Sequence, residues 1–179
     1  MRSMHRWGIL IAATFALASC GWRVHRAVSL VEMNHAFAQY VAAIDAGDQT
    51  RVDALTLHSK IPPQRDPTSL QSISDISAMR SVLSRIGPIQ RYSYDESNLQ
   101  LLLDATCDAS APPTCVRHLF VIFDDEQPQP RINSMIAFES TAEWDALYPP
   151  YRQRAQDEGP LPREIASAIA HLQRNTSHE

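Results

Sequence analysis

Ile89-Gln90-Arg91-Tyr92-Ser93-Tyr94-Asp95 is the stretch on which the fold class turns. It alternates in polarity, so a strand here places Tyr92 and Tyr94 on one side. Ser97-Asn98 supplies a turn, and Leu99 to Thr106 follows as a leucine-rich second run. Val116 to Phe123 is a third run, β-branched and aromatic. Asp124 to Pro130 is polar and carries prolines, as a turn does. Arg131 to Phe138 alternates again, which predicts Ile132, Ile136 and Phe138 on one face. Four runs with short connections predict an antiparallel meander.

The residues before this meander have the period of helices. Leu30, Met33, Phe37, Val41 and Ile44 recur at three- and four-residue spacing and predict a helix of about four turns. In Asp45-Ala46-Gly47-Asp48, Gly47 suits a left-handed helix end and Asp48 suits the cap of the next helix. That helix is expected around Thr50 to His58, with Val52 and Leu55 inward. Residues 59–71 hold three prolines and read as a loop. Ser72-Ile73-Ser74-Asp75 reads as a capping box for a third helix striped by Ile76, Met79, Leu83 and Ile86. Gly87-Pro88 ends it. Helices followed by an antiparallel sheet make the chain α+β.

Farther out lies Leu17-Ala18-Ser19-Cys20. Arg2 and Arg6 precede an apolar run, Trp7 to Ala18, that is too short to span a hydrocarbon core needing about 20 residues. The run reads as the apolar region of a signal peptide, with small residues before Cys20. An ordinary secretory signal is the competing reading. The whole segment resembles a bacterial lipoprotein signal. That resemblance implies a signal peptide over 1–19, diacylglycerol on the Cys20 sulfur, and an acylated new amino group. Gly21 stands where Asp favours inner-membrane retention, which implies the outer membrane, facing the periplasm. Residues 20–27 would then tether residues 28–140, with 141–179 as a helical extension.

The chain has 16 basic and 20 acidic residues, and loss of Arg2 and Arg6 leaves 14 against 20, a formal net charge of −6. An acidic balance argues against a nucleic-acid partner. With Cys20 assigned to lipid, Cys107 and Cys115 remain, flanking Asp-Ala-Ser-Ala-Pro-Pro-Thr. They lack Cys-x-x-Cys spacing and nearby zinc ligands, so a loop-closing disulfide is the expectation.

Helix, short helix, proline loop, helix and four strands is an order similar to that of NTF2-like and cystatin-like folds. Ala43-Ile44-Asp45-Ala46-Gly47-Asp48 resembles the helix junction of that group, and Leu83-Ser84-Arg85-Ile86-Gly87-Pro88 resembles its stop before the first long strand. The resemblance covers about residues 28 to 139. It implies a cone of sheet and helices whose mouth is a ligand pocket in some members and filled in others.

Candidate chemistry is sparse. His118 shares a strand face with Val116, Phe120 and Ile122, and Asp104 on the neighbouring strand is a partner for it. A His–Asp pair can do general acid–base work. With Tyr92 or Tyr94 it would form a candidate pocket, but the favoured reading of His118 is a satisfied or half-exposed sheet residue. His58 and Asp53 share a helix face poorly. Asp124-Asp125-Glu126 lacks the alternating ligands of a calcium loop. No phosphate loop or nucleophile motif is present, and no cofactor or metal is expected.

Trp144, Tyr148, Pro149, Pro150 and Tyr151 cluster, either as interface anchors or packed back on the sheet. A last helix is expected over Leu161 to Arg174, striped by Ile165, Ile169 and Leu172. The function expected is a non-catalytic envelope lipoprotein that binds a protein or a small ligand. An immunity-type lipoprotein blocking a toxin, and an NTF2-like enzyme, are the alternatives.

Overall fold

The structure is a computed structural model, and it describes residues 28–57, 73–108, 113–125, 129–142 and 157–177. The signal segment, the tether, His58, the proline loop and the Trp144–Tyr151 cluster lie outside these ranges. The described elements are α1 (Leu30–Ala46), α2 (Gln49–Leu55), α3 (Ile76–Ser84), β1 (Ile89–Asp95), β2 (Gln100–Ala105), β3 (His118–Asp124), β4 (Arg131–Phe138), β5 (Asp157–Gly159) and α4 (Arg163–Thr176). They form an α+β domain.

Each helix has an identifiable start. Ser29 and Glu32 close a reciprocal capping box at α1, satisfying amides that have no partner inside the helix. Gly47, at φ 70°, ends α1 in the left-handed conformation. Asp48 then accepts from the Arg51 amide at 3.0 Å to start α2. At α3 the cap is Asp75 itself, accepting from the Ala78 amide at 3.0 Å. The helix therefore begins later than a Ser72 cap would set it. The reason is upstream packing: Ile73 is buried, and its carbonyl accepts the Tyr40 hydroxyl at 2.7 Å.

Two arginines finish helices. The Arg80 Nη2 donates to the Ile44 and Asp45 carbonyls at 3.0 and 2.9 Å, at the negative end of α1. Arg131 does the same for the Asp53 and Thr56 carbonyls at the end of α2. That helix stops at Leu55, short of the expected His58. Thr56 turns extended and bridges Ile132 in parallel, and the Leu57 amide donates to the Ile132 carbonyl.

The sheet has five strands in the order β4-β3-β2-β1-β5, every pair antiparallel. The expected meander is β1 to β4. The fifth strand, Asp157–Gly159, pairs with β1 within the stretch 141–179 that was expected to be a helical extension. Three residues of low β-propensity carry no alternation to read. They are a strand because the edge of β1 offers backbone partners.

Register divides the sheet into two faces. Leu101, Leu103, Leu119, Val121, Phe123, Ile132 and Met135 join the helices in the main core. Leu102, Phe120, Ile136 and Phe138 form a second buried cluster. Ile132 was expected beside Ile136 and Phe138, but it lies on the other face. Ile122 pairs with Ser134 and Phe123 with Ile132, so Asn133 is an extra residue in β4. This β-bulge reverses the alternation.

The C-terminal segment shares this core. Ile165, Ile169 and Leu172 of α4 are buried in the same cluster as Met33, Phe37, Tyr40 and Ile44 of α1. The chain between α3 and β1 is equally constrained. A Cβ on Gly87 would overlap the Thr106 carbonyl and stand 3.3 Å from the Cys115 Sγ.

These two glycines predict different costs. Gly47→Ala should cost about 1–2 kcal/mol, the usual penalty of a left-handed alanine. Gly87→Ala should cost more, because backbone must move. Denaturant titration of both variants checks this, and equal losses would contradict the packing at Gly87.

Candidate functional site

The antiparallel pairing of β2 and β3 sets Asp104 directly opposite His118. Side chains of such a pair share a face, and here they meet: His118 Nδ1 is 2.7 Å from Asp104 Oδ1. His118 Nε2 is 3.2 Å from the Thr141 hydroxyl, on the chain leaving β4. The imidazole is largely covered, with 10% of its side chain exposed against 23% for Asp104. Carboxylate, imidazole and hydroxyl thus form one line across three consecutive segments.

The tyrosines of the candidate pocket are elsewhere. Tyr92 pairs with Leu103 and Tyr94 with Leu101, both residues of the helix-facing side. The rings lie 5.9 Å apart on that side. Asp104 and His118 occupy the opposite face, shared with Leu102 and Phe120, so the four residues do not surround one space. The expectation of a joint pocket is corrected by the pairing register. Tyr92 is buried and its hydroxyl donates to the Asn34 Oδ1 of α1. Burial pushes its hydroxyl above the ordinary tyrosine range, and the Asn34 hydrogen bond offsets this only in part.

Among the described residues, large side chains pack between sheet and helices. Met33, Phe37, Tyr40, Leu101, Leu103 and Leu119 are fully buried there. A cavity reaching the other face of the sheet, lined by Ser93, Tyr94, Asp95, Gln100, Leu102 and Phe120, measures about 10 Å³, room for about one water molecule. Asp95 beside it closes the β1–β2 turn. Burial pushes its carboxyl up, but hydrogen bonds from Asn98 and Ser97 outweigh that and hold it below the usual carboxylate range. The Asn98 amide and side chain donate to it at 3.1 and 2.7 Å. Leu99 ends the turn at φ 53°, a strained choice for a branched residue.

Cys107 and Cys115 form the expected disulfide, tying the end of β2 to the start of β3. Arg85 reinforces this corner, its Nη1 donating to the Thr114 carbonyl and to Glu139, each at 2.7 Å. Asp53, the other candidate on α2, accepts from Gln49 at 2.8 Å. Among the described residues no group of three His, Cys, Asp or Glu side chains could hold a metal ion. No described helix is long and apolar enough to cross a membrane.

The contacts made by Thr141, Asn34 and Arg85 were not read from the sequence. Thr141 is three residues past Phe138, the cross-strand partner of His118. Only knowledge of that register would bring it to the imidazole. Comparison with protein-family models, with characterised proteins and with solved structures found no match.

With both ring nitrogens engaged inside the protein, the Asp104–His118–Thr141 line fastens the chain after β4 to the centre of the sheet. Asp104→Asn should cost about 1–3 kcal/mol, the range for a partly buried charge-assisted hydrogen bond. In a double-mutant cycle with His118→Ala, most of that loss should vanish in the His118→Ala background. Additive losses would show that the pair is not coupled.

The disulfide carries a separate expectation. Its cysteines are separated by 8 positions in sequence, and closing so short a loop stabilises a fold by about 2.5 kcal/mol. A Cys107→Ser, Cys115→Ser double variant should lose that amount in denaturant unfolding. An unchanged midpoint would contradict a stapling role.

Proposed function

We propose that the mature chain is a lipid-anchored protein of the cell envelope whose domain binds another envelope protein or a small ligand and performs no catalysis. Acylation of Cys20 would hold it on the outer membrane, facing the periplasm. For the domain, the observation that carries this reading is the filled interior. Leucine, phenylalanine and methionine side chains of the described residues pack into one core between sheet and helices. The Cys107–Cys115 disulfide supports an oxidising compartment. The order α1, α2, α3 and then β1 to β4 supports an NTF2-like cone, here packed with side chains. A filled cone favours recognition on the outer surface, hence a protein partner over a small ligand.

The anchor is tested by growth with an alkyne-tagged fatty acid. The wild-type chain should take up the label and partition into detergent, and Cys20→Ala should do neither. A wild-type chain that stays unlabelled would overturn the anchored reading.

A further inference from the structure

We propose that the end of the domain where α1 and α4 begin is its membrane-facing end, with Val31 resting in the lipid interface. This deepens the anchored reading and rests on acylation of Cys20. Seven residues separate Cys20 from Val28. Eight Cα-to-Cα steps of at most about 3.6 Å limit the reach to about 29 Å. Val28, just before α1, therefore stays within about 29 Å of the anchored Cys20 whatever path the tether takes. The tether also contains Trp22, Arg23 and Arg26. Indole rings favour the headgroup region, and arginines near an anionic surface are attracted to it.

What the domain presents at that end fits a lipid surface. Among the described residues the exposed large hydrophobic side chain is Val31, 73% exposed in the first turn of α1. Leu30 beside it is half-buried. The start of α4 lies at the same end. His35 pairs with Glu164 near the beginnings of α1 and α4, and Asp45 pairs with His171 near their ends, so the two helices run the same way. Leu161 precedes α4 half-buried, and Arg163 opens it exposed. Acidic groups here are engaged within the protein, Glu32 in the α1 capping box and Glu164 with His35. The seventeen residues of α1 carry the opposite end about 25 Å farther along the helix. Asp48 and Thr50 stand exposed there, positioned for a partner approaching from the periplasm.

The test uses the mature lipidated chain in vesicles of phosphatidylethanolamine and phosphatidylglycerol, some lipids carrying a nitroxide near the headgroup. Val31→Cys and Thr50→Cys, both at exposed positions, each receive a bimane fluorophore, while Cys107 and Cys115 remain oxidised and unreactive. Bimane at position 31 should be quenched several-fold more strongly than at position 50. Equal quenching, or stronger quenching at 50, with the protein floating on the vesicles, overturns the orientation alone. Failure to float, with no acyl mass on Cys20, overturns the orientation and the anchored reading together.

Discussion

Burial of α1 is the constraint on which the other elements depend. Nine of its residues are buried, among them Met33, Asn34, Phe37, Tyr40, Val41 and Ile44. A helix buried on that much of its circumference needs neighbours on several sides. The sheet covers one side, α4 and α3 cover others, and α2 closes the end beyond Gly47. Its polar groups are fitted to this position. Asn34 receives the Tyr92 hydroxyl, Tyr40 reaches the Ile73 carbonyl, and Arg80 takes the last carbonyls. Each would be costly to leave unpaired, so each also fixes how its neighbour packs.

The sheet then separates two environments. Its helix-facing side carries the main apolar core of the described residues. Its other side carries a small apolar cluster and the line from Asp104 through His118 to Thr141. The residues that looked most like chemistry are divided between these environments, tyrosines on one and the His–Asp pair on the other. An arrangement of this kind stiffens a sheet.

Much of the fold was legible because it follows local rules. The period of α1, the Gly47 end, the Asp48 cap and the bounds of β1 and β4 depend on neighbouring residues only. The disulfide followed from counting cysteines and from the loop between them. What was not legible depends on pairing across the chain. The bulge at Asn133 moves Ile132 to the helix side, and nothing in Arg131 to Phe138 marks it. Asp157–Gly159 is a strand only because β1 offers an edge. Thr141 meets His118 through register. The candidate pocket failed for the same reason. Alternation tells which residues of one strand share a face, but pairing decides which faces of two strands coincide.

The measurement that bears most directly on this account is native-state hydrogen exchange of the α1 amides. A helix buried on several sides should open only when the whole domain unfolds. The amides from Phe37 to Ile44 should therefore exchange as slowly as the central amides of β3, with the same denaturant dependence. Exchange of those α1 amides through a low-energy local opening, while β3 stays protected, would contradict the role given to α1.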